Sequence, residues 1–184
     1  MRLWNGWGNE DSDLTMELSD GLRALLEALV GPGTALSQAT LNEVIDKVAN
    51  TRLDDHPLIK TDPETRVRHA RGQSLPDWLE MHSGNVDTFP DGVAFPESSD
   101  QVRDLLVHAK ENNLIVIPYG GGTSVVGHIN PETSEKPVLT IDMGKMNSLL
   151  SIDTESQLAT FGAGTPGPVV EEELKKHGYT LGHF

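Results

Sequence analysis

The chain contains no cysteine, which excludes disulfides and thiolate metal sites and leaves the redox compartment open. Aromatic residues make up only 5% of it and apolar residues 36%, so the core is expected to be aliphatic and modest. Positive charge is scarce: 14 basic residues face 28 acidic ones, a formal net charge of −14. A surface so acidic repels phosphodiester backbones and anionic lipid, which argues against a nucleic-acid partner or a membrane-surface role. It does not forbid a single anion site built from backbone N–H groups. No apolar run approaches the roughly 18 residues of a membrane span, and the N-terminus lacks a basic region followed by an apolar one. The expected location is therefore cytoplasmic. There is no internal repeat and no low-complexity tract, and 184 residues suffice for one good-sized domain or for one domain with a lead-in.

What the chain does have is glycine where a strand ends. Ile115-Val116-Ile117-Pro118-Tyr119 has strand-forming character and runs straight into Gly120-Gly121-Gly122, followed by Thr123-Ser124 and then Val125-Val126-Gly127. Without Cβ atoms the three glycines can take positive φ and bring several N–H groups close to a bulky anion. Thr123 and Ser124 add hydroxyl donors. Two familiar glycine motifs fail here. A Walker A loop ends in Gly-Lys-Ser/Thr, yet Ile115 to Gly127 contains no lysine. A dinucleotide fingerprint opens a long helix, whereas this loop runs on into Gly127-His128-Ile129-Asn130-Pro131. The Gly-x-Ser-x-Gly elbow of hydrolases is absent around Ser124 as well.

Pro118-Tyr119-Gly120-Gly121-Gly122-Thr123-Ser124-Val125 resembles the FAD pyrophosphate loop of the vanillyl-alcohol-oxidase-like flavoproteins, whose FAD domain is of the PCMH type. Within that family the resemblance is to the branch of alkyldihydroxyacetonephosphate synthases and bacterial FAD-linked oxidases. Three further segments agree, in the right order: Trp4-Asn5-Gly6-Trp7-Gly8, Arg66-Val67-Arg68-His69-Ala70-Arg71-Gly72 and Gly178-Tyr179-Thr180-Leu181-Gly182-His183-Phe184. The resemblance implies FAD as cofactor, with Pro118, Tyr119, Gly120, Gly121, Gly122, Thr123, Ser124 and Val125 as its binding residues. Relatives that attach flavin through a histidine of this loop carry it near Thr123. Threonine there, and the lack of cysteine, imply noncovalent FAD.

The fold expected is α/β (α+β), with an N-terminal arm and helical lead-in over 1–88 and the first part of a PCMH-type FAD-binding domain over 89–184. Leu18, Leu22, Leu25, Leu26 and Leu29 recur at helical spacing, with Ser19 or Asp20 as cap and Gly31-Pro32-Gly33 as stop. A second helical stretch runs through Leu41, Val44, Ile45 and Val48. The pair reads as a packing platform or an interface, which leaves a homodimer open. Trp4 and Trp7 are expected to pack the arm onto the body. From Asn50 to Asn85 periodicity fades, and Arg66-Val67-Arg68-His69-Ala70-Arg71 stands out as a basic cluster. Composition favours a solvated segment offsetting nearby acids, and the resemblance brings an anion contact level with it. Gly92 to Pro96 reads as a strand, Asp100 to Asn112 as a helix capped by Ser98 or Ser99, and Leu114 to Tyr119 as a strand parallel to the first. Pro137 to Asp142, a hairpin over Leu149–Asp153 and Leu158–Gly162, a helix over Pro168–His177 and a strand opening at Tyr179–Leu181 complete the pattern.

No metal site is expected, because His69 and His108 lack ligand spacing. His128 reads as a bystander beside the loop, and His183 as a residue near the cofactor without an assignable role. The resemblance implies the N-terminal part of a flavoenzyme acting on a small molecule, with catalytic side chains supplied beyond Phe184 and this stretch inactive alone. In the synthase branch a fatty alcohol replaces a fatty acid with no net redox change. In the oxidase branch a 2-hydroxy acid or alcohol is oxidised. A non-enzymatic module holding another phosphate ligand, or serving assembly through the two leading helices, is the alternative of a different class.

Overall fold

The computed structural model describes residues 2–11 and 18–182. Among these are six α-helices, one 3₁₀ turn and two sheets. Helix α1 (Asp20–Val30) starts where Ser19 accepts a hydrogen bond from the Leu22 N–H and stops at Gly31, whose φ is 88°. None of its residues is buried. Helix α2 (Leu41–Ile45) opens on a capping box between Thr40 and Glu43 and ends earlier than the apolar spacing through Val48 predicts. There the bonds tighten to the i→i+3 type, Lys47 N–H to Val44 O and Val48 N–H to Ile45 O.

The stretch without periodicity holds two more helices. Asp62 caps α3 (Pro63–Arg68), with proline in its first turn, and a Ser74–Asp77 capping box opens α4 (Leu75–Ser83), which Gly84 closes at φ 71°. Their signal lies in caps and prolines, since neither is long enough to display a period. Val44, Val67, Ala70, Met81 and Val86 join α2, α3 and α4 in one apolar cluster, with Trp4 packed against it. Trp7, by contrast, is 58% exposed, so only one of the two tryptophans packs the arm.

The larger sheet is ordered β1-β2-β4-β3, from β1 (Ile59–Lys60), β2 (Gly92–Ala94), β4 (Val138–Asp142) and β3 (Ile115–Tyr119). Helix α5 (Ser99–Glu111), capped by Ser98, connects β2 to β3. Both strands run parallel to β4 and hence to each other, as strand-helix-strand spacing requires, but β4 lies between them. That central place explains why Val138, Leu139, Thr140 and Ile141 are all buried. The second sheet is the antiparallel pair β5 (Leu149–Asp153) and β6 (Leu158–Phe161). Helix α6 (Gly167–Lys176) follows, and Gly178 takes φ 81° just past its end. The strand expected at Tyr179–Leu181 is not formed. Glu171 instead accepts from the Thr180 hydroxyl (2.7 Å) and the Leu181 N–H (3.0 Å), folding the segment back on α6.

Buried polar groups tie the lead-in to the sheet. The Asp91 carboxylate, only 4% exposed, accepts from Arg52 Nε (2.8 Å), Arg52 Nη2 (2.7 Å) and the Val138 N–H (2.7 Å). The buried Arg66 donates to the carbonyls of Pro90 (2.6 Å) and Ala49 (2.7 Å).

Candidate functional site

Strands β3 and β4 are parallel and in register from Ile115 opposite Val138 to Tyr119 opposite Asp142, so both deliver their carboxyl ends to one edge. Ligands of α/β sheets bind at such an edge. The glycine loop leaves β3 there, and α3 brings His69 to the same place. The His69 ring packs against Tyr119 at 4.7 Å between centroids and meets the edge of Phe95 at 5.7 Å. Its Nδ1 lies 2.7 Å from the Thr65 carbonyl and its Nε2 lies 2.8 Å from Asp142 Oδ2. Both neighbours are oxygens, so both contacts are hydrogen bonds at once only when a proton sits between Nε2 and the carboxyl. The other Asp142 oxygen accepts from the Gly144 N–H (2.7 Å). Tyr119 is 4% exposed; burial pushes its phenol up, while the Arg2 guanidinium beside it pulls the other way.

Within the loop the three glycines differ in what they require. Gly122 has φ 66°, and a Cβ there would run into the Tyr119 phenol, so this glycine is needed by the fold itself. Gly120 has nothing within 4 Å of a virtual Cβ, and Gly121 has only Thr123 Cγ2 at 3.5 Å. Space is thus open over Gly120 and Gly121. Among the described residues no oxygen accepts the N–H groups of Gly120, Gly121 or Gly122. Unpaired donors beneath open space fit an anion.

Tyr119, Gly120 and Gly121 line a cleft of about 400 Å³ with Arg2, His69 and Asp142 on its other walls. Gly164 also borders it, where a Cβ would strike the Met143 carbonyl. Thr123, Ser124 and Val125 lie outside the cleft lining, as does Pro118, which pairs with Ile141 in the sheet. Ser124 meets the turn before α4: its carbonyl accepts the Gln73 N–H (2.6 Å), and its hydroxyl lies 3.2 Å from His128 Nδ1. His128 is exposed and does not line the cleft. His183 lies outside the described residues.

The loop's far end is braced from α4. Asn130 accepts the Gly72 N–H (3.1 Å) and donates to Asp77 (2.6 Å), and a Cβ on Gly72 would press into the Ser124 carbonyl. Gly72→Ala is accordingly expected to break the Gln73–Ser124 bond and to lower stability by about 1–3 kcal/mol, the usual cost of overpacking. A thermal melt checks this; an unchanged melt would show that the two segments are not braced together.

Of the basic cluster, Arg66 and Arg71 are consumed by the fold. Arg71 donates to Glu80 (2.7 Å) and to the carbonyls of Ala70 (2.9 Å) and Thr88 (3.0 Å). Arg68 points to the N-terminal arm. Sequence reasoning did not single out Arg2 or Asp142 or the pairing with His69. Asp142 was within reach of it, as the polar residue ending an apolar strand; Arg2 carries no local signal.

A family model described as an FAD binding domain matches residues 90–184, just over half the chain and including the whole glycine loop. The chain belongs to the FAD-binding domain family. FAD is its cofactor. The chain is 36% identical over 127 residues to an alkyldihydroxyacetonephosphate synthase of Trypanosoma brucei brucei, a match covering 68% of this chain and 21% of that protein. It is 37% identical over 125 residues to the synthase of the same name from Dictyostelium discoideum, covering 68% of this chain and 20% of the relative. A solved structure of alkyldihydroxyacetonephosphate synthase superposes with a TM-score of 0.79 at 28% identity, covering 99% of this chain and 40% of the other. The matched stretch covers about a fifth of these curated relatives and the whole chain 40% of the solved synthase, and its fold is that of the corresponding part of the synthase.

Proposed function

We propose that this chain is the part of a flavoenzyme of the alkyldihydroxyacetonephosphate synthase kind that grips the FAD pyrophosphate, held noncovalently. The observation that carries the reading is the open, unpaired backbone at Gly120 and Gly121, at the carboxyl end of β3. Gly120, Gly121 and Gly122 would direct N–H groups at the phosphate oxygens, while Pro118 and Tyr119 set the angle at which the loop leaves the sheet. Thr123, Ser124 and Val125 carry the loop away toward α4, and Thr123 has no ring nitrogen through which flavin could be attached. Bound FAD would supply the electron-accepting ring; the side chains of this chain would hold it and keep the charge around it balanced.

In this reading residues 1–88 form the lead-in and 89–184 open the FAD domain. The whole protein acts on a small-molecule substrate in ether-lipid synthesis, as a cytoplasmic enzyme and a homodimer. The test is a titration with FAD, followed by flavin absorbance and fluorescence quenching. It is made on this chain and on the gene product continued past Phe184 where the reading frame extends. Saturable yellow binding is expected in the longer product. Flavin bound by neither would overturn the proposal.

A further inference from the structure

The cations around the cleft are not equivalent. Arg66 and Arg71 are buried and turned to backbone and acids of the fold, and His69 is joined to Asp142. Arg2 differs in three respects. It is exposed at the cleft wall, and it has no carboxylate within 4.0 Å among the described residues. Its one bond to the loop, from Nη1, goes to the Gly121 carbonyl.

The guanidinium caps the Gly121 carbonyl oxygen at the cleft wall, where both residues lie. Uncapped, that oxygen would be a bare acceptor beside the loop, which an anion rejects. A guanidinium suits the task because it donates from several nitrogens and keeps its charge. The neutral Gly121 carbonyl does not cancel that charge, which stays beside the loop of a strongly acidic chain.

The arm that carries Arg2 is itself anchored. It closes on itself through the Arg2–Asn9 bridge and the bond from the Leu3 N–H to the Gly8 carbonyl (3.0 Å). Arg68, on α3, donates to the Arg2 carbonyl (2.9 Å) and to Glu10 (3.1 Å), with Glu64 (2.9 Å) holding its other side. Trp4 seats the arm on the lead-in core. The basic cluster thus reaches the glycine loop indirectly, through residue 68 and the arm.

We propose that the N-terminal arm is part of the diphosphate site and that Arg2 is its positioning residue, holding the Gly121 carbonyl and supplying a positive charge beside the loop. This rests on the FAD reading above and adds to it a segment outside the matched family region. Arg68 acts one step further back, by holding the arm.

The experiment compares FAD and riboflavin binding to the longest available gene product and to its Arg2→Ala, Arg68→Ala and doubly substituted forms. Riboflavin lacks the diphosphate, so a positioning role there predicts a selective effect. Arg2→Ala is expected to weaken FAD about tenfold, as loss of a charge-assisted bond does, and to leave riboflavin affinity and the thermal melt unchanged. Arg68→Ala should show the same selectivity, and the double variant should be no worse than Arg2→Ala alone, since the two act in series. FAD binding that survives Arg2→Ala undiminished overturns the inference, and so does an equal loss for riboflavin. Neither result touches the FAD reading itself, which falls only if the unsubstituted protein takes up no flavin.

Discussion

Gly121→Val is expected to abolish FAD binding while leaving the protein folded. The two halves of that statement rest on the same geometry. A Cβ at 121 meets nothing nearer than Thr123 Cγ2 at 3.5 Å, an ordinary contact, so the unliganded loop accommodates a side chain. The space the isopropyl group would fill is the space over the loop that a diphosphate must enter to reach the N–H groups. Affinity should fall by at least about a hundredfold, equivalent to roughly 2.7 kcal/mol, read as loss of flavin quenching in a titration. Stability, read from a thermal melt, should change by no more than a surface substitution does, about 0.5 kcal/mol. Gly122→Ala is the contrasting control: with φ 66° and the Tyr119 phenol in the way, it should lose stability and flavin together. Unchanged FAD affinity in the valine variant would show that the diphosphate lies elsewhere.

Asp91→Ala should be the most damaging single change to stability. Its carboxylate is buried and takes four hydrogen bonds, three from Arg52 (backbone N–H, Nε and Nη2) and one from the Val138 N–H at the start of the central strand. Removing it strands the Val138 N–H and leaves Arg52 without its anion. Breaking a buried pair from one side costs about 3–5 kcal/mol, and the lower end applies because Arg52 is 44% exposed and can rehydrate. A loss of about 3 kcal/mol lowers the melting temperature by roughly 6–12 °C in a chain of this size.

The pH dependence has a definite sign. Burial alone pushes the Asp91 carboxyl up, but the Arg52 guanidinium and the Val138 N–H outweigh it, so the native value lies below the usual carboxylate range. Arg52 is raised in turn, first by its bond to Asp91. A depressed acid stabilises the fold fully above its unfolded value of about 4, and that stability is lost as the pH falls through the lower native value. The melting temperature of the wild-type chain should therefore decline below about pH 4 more steeply than that of Asp91→Asn, which cannot titrate at this position. Parallel curves for the two would show that Asp91 is not the group responsible.

Much of this was legible in the chain, for identifiable reasons. Helix α5 shows a full apolar face between Ser98 and Asn112, and β3 and the glycine loop form a strand followed by a break, a pattern that local chemistry alone produces. Helices α3 and α4 were missed because six and nine residues are too few to show a period, although Asp62-Pro63 and Ser74-Leu75-Pro76-Asp77 announce their starts. The strand at Tyr179–Leu181 failed for a different reason. A strand is defined by its partner, and Glu171 supplied the nearer bonds. At the candidate site, the open backbone of Gly120 and Gly121 is legible in the sequence because backbone freedom is a local property. Arg2 and His69 are not, since 119 positions separate Arg2 from Gly121 and 73 separate His69 from Asp142.

The place of β4 has a consequence for how the molecule comes into being. β2 and β3 leave the ribosome before β4, yet neither hydrogen-bonds the other; β2 has only the two-residue β1 as a partner until then, and β3 has none. Until residues 138–142 emerge, the β3 edge and its glycine loop have no sheet to belong to. Assembly of the parallel sheet is then a single late insertion across contacts distant in sequence, the kind of step that slows folding. The loop acquires its geometry at the same moment as the apolar cluster of Ala94, Leu105, Leu139 and Ile141, and a nascent chain stopped short of Asp142 has neither.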